Sequence, residues 1–247
     1  MMNKQLHNHI EHYRKDAESF DYFSVENPTI YQEERRRIGL LTRAMKLKRG
    51  QAVIDAGSGG GWVSRALLPK GVFVCAVDLS AKNLSGIRQR FDLKNEGGYI
   101  VADLYHLPFK SDSFDAATSN DVYEHLEHLQ TAACELRNVL KSGAKAFISV
   151  PYKENIIFYL CIHCNKLTPI NAHLHSFDEN SLGDIFLSNG YRIEKVTKFL
   201  NKGLALLQVY RFSGWMPYRL WRVIDIIANI IIRKPGRMAL TLVAQEK

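Results

Sequence analysis

Two hydrophobic rhythms alternate along most of this chain. Short, nearly continuous apolar runs recur at about 51–56, 72–77, 99–102, 114–119 and 145–150, as expected for strands covered on both faces. Between them lie stretches with helical spacing, at about 61–69, 81–94 and 130–141. Glycine-bearing pairs mark the changes of rhythm: Lys70-Gly71, Gly97-Gly98 and Ser142-Gly143. An earlier helix is predicted over 29–47, with Ile38, Leu41 and Met45 on one face and Arg49-Gly50 closing it. Strands alternating with helices imply βαβ units, right-handed crossovers and a parallel sheet.

After Pro151 the rhythm breaks. Residues 152–176 form an insertion with cysteines and histidines. A helix near 179–188 and a strand near 191–198 resume the pattern. Residues 201–236 are a second irregular region, and Met238–Ala244 reads as a last strand. Residues 1–28 are polar with scattered aromatics (His9, Tyr13, Phe20, Tyr22, Phe23) and end at Asn27-Pro28, which predicts an N-terminal helical extension. The expected organisation is that extension followed by one domain, 29–247, with insertions at about 152–176 and 201–236. There is no internal repeat or low-complexity segment.

Composition narrows the class without naming a function. The chain has 247 residues, 46% hydrophobic and 23% charged, the balance of a globular protein with one substantial core. Its formal charge of +8 favours anionic partners. The basic residues are spread from Lys4 to Lys247 without a long run, so nucleic acid is not the expected partner, and Glu33-Glu34-Arg35-Arg36-Arg37 reads as a solvated helix face. The first residues lack a signal peptide's apolar core, and there is no run of about 20 apolar residues. No transmembrane segment and a cytoplasmic location are therefore expected. Cys75, in an apolar strand, and Cys134, in a helical stretch, are expected to be buried thiols.

Candidate chemistry begins at Val53-Ile-Asp-Ala-Gly-Ser-Gly-Gly-Gly-Trp62. A strand stops at an acid, Asp55, and glycines follow at 57, 59 and 61 before a helix. A turn free of side chains lets a ligand lie against the backbone. The spacing differs from the Gly-x-Gly-x-x-Gly pyrophosphate fingerprint, and no Gly-Lys-Ser/Thr follows. A carboxylate at the strand end would repel a pyrophosphate but can accept from an ammonium group. The other strand ends add to the set. Asp78, followed by Leu79-Ser80, can take the two hydroxyls of a ribose. Asp103-Leu104 can accept from an exocyclic amine, and Asn120-Asp121 lies under the middle of the ligand. The ligand implied has a ribose, a purine-like amine and a cationic amino-acid end.

On these residues the chain resembles the class I S-adenosylmethionine-dependent methyltransferases, over roughly 30–200 plus the last strand. The motifs, in order, are Val53–Gly61, Val74-Cys-Ala-Val-Asp-Leu-Ser80, Ala102-Asp-Leu104 with Leu107-Pro-Phe109, and Phe114-Asp-Ala-Ala-Thr-Ser-Asn-Asp-Val-Tyr-Glu-His-Leu126. Leu140-Lys-Ser-Gly143 resembles the turn before the family's fifth strand. The resemblance implies a Rossmann-like, doubly wound α/β fold: a seven-stranded sheet, mostly parallel with an antiparallel last strand, and helices on both faces. It also implies roles. Asp55 with Gly57, Ser58, Gly59 and Gly61 would hold the methionine portion. Asp78, with Leu79 beside it, would bind the ribose, Asp103 and the Leu104 backbone the adenine, and Asn120 would lie near the sulfonium.

A sulfonium is an activated methyl donor, so much of the catalytic work is alignment of the acceptor. A general base helps when the acceptor must lose a proton, and His125 and Glu124 are the candidates. Asp121-Val-Tyr-Glu124-His125 is also similar to the Glu-x-x-Glu-His pattern of metal-assisted O-methyltransferases, including ubiquinone-pathway and small-RNA enzymes. Aspartate in first place shortens the reach, and metal-independent relatives also carry Glu-His here. A divalent ion at Asp121, Glu124 and His125 thus stands beside the reading in which Glu124 and His125 order the loop or touch the cofactor. Asn/Asp-Pro-Pro-Tyr, the mark of nucleobase amino methylation, is absent after the fourth strand.

The insertions hold the least generic residues. Cys161-Ile-His-Cys164-Asn165 is half of a zinc knuckle, with Asn165 where a positive φ is needed. His173 and His175 could complete a structural tetrahedral zinc site. Alternatively they belong to a His-x-x-Ser-Phe-like run seen in metal-free relatives, or one of them faces the acceptor as a base. Residues 215–233 are strongly apolar with Arg219, Arg222 and Arg233. Such a basic amphipathic helix can lie weakly on a membrane or receive a lipid-like substrate, although a lid packed on the domain is the simpler reading. Taken together these features predict methyl transfer from S-adenosylmethionine to a small-molecule or carrier-linked acceptor of some apolar character, oxygen acceptors being favoured. The rivals are a module that binds the cofactor without turnover and a Rossmann NAD(P)-dependent oxidoreductase.

Overall fold

In a computed structural model, which describes residues 9–23, 27–92, 94, 96–162 and 165–246, the chain is built around a seven-stranded sheet. The helix α1 (His9–Ser19) precedes α2 (Pro28–Met45). Then come β1 (Ala52–Ala56), α3 (Trp62–Leu67), β2 (Phe73–Asp78), α4 (Ala81–Phe91), β3 (Gly98–Val101) and β4 (Phe114–Asn120). The second half has α5 (Leu129–Val139), β5 (Leu140–Pro151), a small hairpin of β6 (Phe158–Leu160) and β7 (Leu167–Pro169), α6 (Glu179–Leu187) and β8 (Tyr191–Asn201). It closes with α7 (Lys202–Leu206), α8 (Val209–Phe212), α9 (Tyr218–Ile231) and β9 (Pro235–Ala244).

The strand order is β3-β2-β1-β4-β5-β9-β8. Strands β1 to β5 pair in parallel, and β9 runs antiparallel to both β5 and β8. The seven-stranded sheet with an antiparallel last strand is the one expected. Order reverses between β1 and β4, which opens a crevice at the carboxyl ends of those strands.

Alternation along each strand sends neighbours to opposite layers. Ile54, Cys75, Ala117 and Ile148 pack with Ala133, Leu136, Leu182 and Phe186 of α5 and α6. Val53, Val74, Ala116 and Phe147 pack with Ile38 and Leu41 of α2, Val63 and Leu67 of α3, and Trp221 of α9. Local chemistry sets the helix ends. Asn27 caps α2 by accepting from the Thr29 N–H, with Pro28 in the first turn, where its missing N–H costs nothing. Asp178 and Ser181 form a capping box on α6. Pro69 falls just beyond α3, and the chain continues as a short 3-10 turn, Leu68–Lys70.

Three expectations need correction. Cys134 is exposed, because α5 buries its neighbours Ala132, Ala133 and Leu136 and turns 134 outward. Strand β5 begins at Leu140, ahead of the expected 145, with an irregular register at the positive-φ Gly143. The Glu33–Arg37 run is not a solvated face: Arg36 and Arg37 are buried. Arg36 donates to Ser213 and stacks on Tyr210 and Trp221, since the 201–236 segment folds back over α2. Burial pushes its pKa down to about 10.

Candidate active site

A cleft of about 330 Å³ opens at the sheet crevice. Its walls include Asp55, Gly57, Ser58, Gly59, Asp78, Leu79, Asp103, Leu104, Asn120 and His125, so ten of the twelve expected cofactor and catalytic positions, all but Gly61 and Glu124, line one cleft.

Each wall residue is held by its strand end. Asp55 closes β1, is buried, and accepts from the Thr118 hydroxyl at 2.8 Å. Burial pushes its carboxyl up to about 7. Gly57 takes φ +77, and a Cβ there would collide with Val122 Cγ2, so only glycine fits. Asp78 ties the turn together: its Oδ2 accepts from the Gly59 N–H and its Oδ1 from the Ser80 N–H, both at 2.8 Å. Burial raises its pKa. Asp103 accepts from the Tyr105 N–H at 3.0 Å, and the Asn120 side-chain oxygen accepts from the Ser149 hydroxyl at 2.9 Å.

Gly61 is not among the residues lining the cleft. It starts α3 at φ +70, and a Cβ there would meet Ile87 at 2.7 Å, so it serves helix packing beside the cleft. Glu124 is buried behind the wall, and neither carboxylate oxygen has a hydrogen-bond partner. Burial, then the nearby Asp121 charge, raise its pKa well above the usual carboxylate range. His125 does face the cleft. Its Nδ1 lies 3.3 Å from the Ala172 carbonyl, which can only accept, so the proton sits on Nδ1 and Nε2 keeps its lone pair. Burial, then the neighbouring His173, push its pKa down to about 4.

The structure rearranges both expected metal sets. Asp121 is taken up by Arg37 and Arg237, one on each carboxylate oxygen. Burial alone would raise its pKa, but the two guanidinium groups hold it below the ordinary value. Burial disfavours the charge on Arg37, yet Asp121 and Glu34 hold its pKa above the ordinary value. In place of Asp121, His173 joins Glu124 and His125, with one ligand atom from each within 4.8 Å of the others. This is the one such gathering of histidine, cysteine or carboxylate groups among the described residues. His173 also pairs with Glu154.

The expected zinc set is not assembled among the described residues. Asn165 takes the anticipated positive φ, +54, and donates to the Cys161 carbonyl at 2.8 Å. Cys164 lies outside the described residues. His173 and His175 are drawn away from the hairpin because their loop buttresses the turn at 123–125. The Leu174 and His175 N–H groups donate to the Glu124 carbonyl, and His175 Nε2 lies 2.8 Å from the Leu126 carbonyl.

Several wall residues were not anticipated. Tyr13, Asp16 and Tyr22 come from the N-terminal segment, and Ile30, Glu34 and Arg37 from α2. The Tyr13 ring meets the His125 ring edge-on, 5.6 Å between centroids. The only signal for the first group was aromatic residues without a period, and for Arg37 a charge run that usually means solvent.

Comparison with known proteins agrees with this geometry. Residues 54–148 match the family model described as a methyltransferase domain. Over 155 residues the chain is 28% identical to a malonyl-[acyl-carrier protein] O-methyltransferase of Enterobacter lignolyticus, covering 63% of this chain and 56% of that protein. Over 107 residues it is 34% identical to a demethylmenaquinone methyltransferase of Clavibacter sepedonicus, covering 43% and 44%. The chain thus spans about half the length of these curated relatives. Among solved structures, an S-adenosylmethionine-dependent methyltransferase from Mesorhizobium loti aligns with a TM-score of 0.60 at 17% identity, covering 84% of this chain and 97% of that one.

Proposed function

We propose that this chain, whose residues 54–148 match the methyltransferase-domain family model, transfers the sulfonium methyl group of S-adenosylmethionine to an oxygen of a small-molecule or carrier-linked acceptor. The observation that carries this reading is the convergence of Asp55, Asp78, Asp103, Asn120 and His125 on one cleft. In it, Asp78 takes the ribose hydroxyls, Asp103 and Leu104 the adenine, and Asp55 with the glycine turn the methionine portion. His125 is the residue that receives the acceptor's proton. A histidine whose pKa is depressed to about 4 stays neutral at physiological pH, with Nε2 available. The names of the two relatives, one for a malonyl-[acyl-carrier protein] and one for demethylmenaquinone, support a small-molecule or carrier-linked acceptor.

A second reading of the same corner rests on Glu124. Two buried carboxylate oxygens without partners, beside His125 and His173, fit a divalent cation. There the ion would supply a Lewis acid next to the acceptor oxygen. Metal analysis of the purified protein separates the readings: one retained equivalent, lost in His173→Ala, supports the cation, and none leaves His125 to act alone.

The activity test uses methyl-labelled S-adenosylmethionine with carboxylate acceptors on a carrier protein, quinols and small hydroxylated metabolites. Label transferred to one of them, and lost in Asp78→Ala, is the expected result. Tight cofactor binding with no transfer to any acceptor would favour a binding module instead.

A further inference from the structure

We propose that the outward face of α9, with the loop before it, docks this protein on an anionic lipid bilayer. Helix α9 inverts the usual pattern. It buries Trp221, Asp225 and Ala228, a stripe at i, i+4 and i+7. A helix packed on a domain ordinarily turns polar residues to water. The outward stripe here is Val223, Ile227, Ile230 and Ile231, with Ile231 74% exposed. The end of α8 adds Phe212, and the loop between α8 and α9 adds Trp215, which is 76% exposed.

Charge selects the occupant. Residues 201–236 hold six basic side chains, Lys202, Arg211, Arg219, Arg222, Arg233 and Lys234, against one acid, Asp225, which gives +5 of the chain's formal +8. Asp225 is buried and paired with Arg222, so it offers no counter-charge at the surface. A second copy of the chain would set one basic rim against another. Anionic headgroups neutralise that rim while the isoleucines enter the acyl boundary. With 14 residues, α9 lies in the interface plane, and among the described residues no helix is long and apolar enough to cross a membrane. The β6–β7 hairpin, exposed over Phe158–Leu160, follows β5 at the sheet end where α9 finishes; there the Tyr152 N–H donates to the Gly236 carbonyl at 3.0 Å. This inference stands apart from the methyl-transfer reading, since it uses no cleft residue.

The test is co-sedimentation of the full-length protein with vesicles of phosphatidylcholine alone or mixed with phosphatidylglycerol, at low and high salt. Ile231→Glu and the pair Arg219→Glu/Arg233→Glu change exposed side chains, and thermal melting checks that each variant is folded. The expected result is binding to the anionic vesicles that weakens roughly tenfold or more at high salt and in the arginine pair, and comparably in Ile231→Glu. Binding no greater than to phosphatidylcholine would overturn the proposal. So would loss in the arginine pair alone, which means adsorption by charge, or a dimer in light scattering that Ile231→Glu dissolves, which assigns the face to self-association.

Discussion

Replacing Asp78 with alanine should cost most of the cofactor affinity. The carboxylate already accepts from the Gly59 and Ser80 N–H groups, both at 2.8 Å. The Asn83 amide donates to the same carboxylate at a longer 3.4 Å; with about four acceptor positions, one stays open for a ribose hydroxyl and the long Asn83 contact can give way to the second. Hydrogen bonds to a charged group are worth about 1.5–3 kcal/mol each. Losing two, with partial replacement by water, leaves about 3 kcal/mol, or a loss on the order of 100-fold in affinity. Alanine also frees two backbone donors of the turn, so the melting temperature should fall as well. Asp78→Asn keeps one acceptor oxygen and should lie between alanine and the native protein. The pH dependence has a definite sign. Burial raises the Asp78 carboxyl, and bound hydroxyls favour its ionised form, so affinity should weaken as pH falls through that raised pKa. Calorimetry with S-adenosylhomocysteine measures all of this. An alanine variant that stays folded and binds within about threefold of the native protein would refute the ribose assignment.

Other perturbations probe different parts of the account. Gly57→Ala forces a side chain to φ +77 and against Val122; denaturant unfolding should show a loss of about 2–4 kcal/mol. Arg37→Met leaves Glu34 and one oxygen of Asp121 unpaired in a partly buried place, and should cost about 2 kcal/mol of stability by the same measurement. His125 contributes nothing to pH dependence above the unfolded-state value of about 6.5, but as pH falls toward its folded value of about 4 the unfolded chain takes the proton first. His125→Gln should therefore remove up to roughly 3 kcal/mol of the acid-side loss in stability between those values, seen by melting across pH. Glu124, with a raised pKa, acts with the opposite sign, so the difference between native and variant isolates the histidine.

What the sequence made legible was whatever depends on strand ends. Period and glycine punctuation locate the strands, and a parallel sheet must gather its carboxyl ends; Asp55, Asp78, Asp103 and Asn120 therefore converge without further information. Gly61 follows the same motif, and packing against Ile87 also calls for glycine there. The remaining differences are tertiary. Nothing local tells that Arg36 is covered by a segment 177 residues later, or that the loop at 173–175 leans on Glu124 and carries His173 to His125. The Tyr13 contact with His125 likewise depends on how the N-terminal segment crosses the cleft. In each case the polar residue is common in solvent, so its local pattern carries no mark of burial.

The central claim is that the cleft at the β1–β4 crevice receives S-adenosylmethionine. Isothermal calorimetry on the native chain tests it most directly, with S-adenosylmethionine, S-adenosylhomocysteine and NAD as separate titrants. The account predicts saturable one-to-one binding of both adenosyl amino acids and none of the dinucleotide. No heat with either adenosyl compound, or tight binding of NAD, would contradict it.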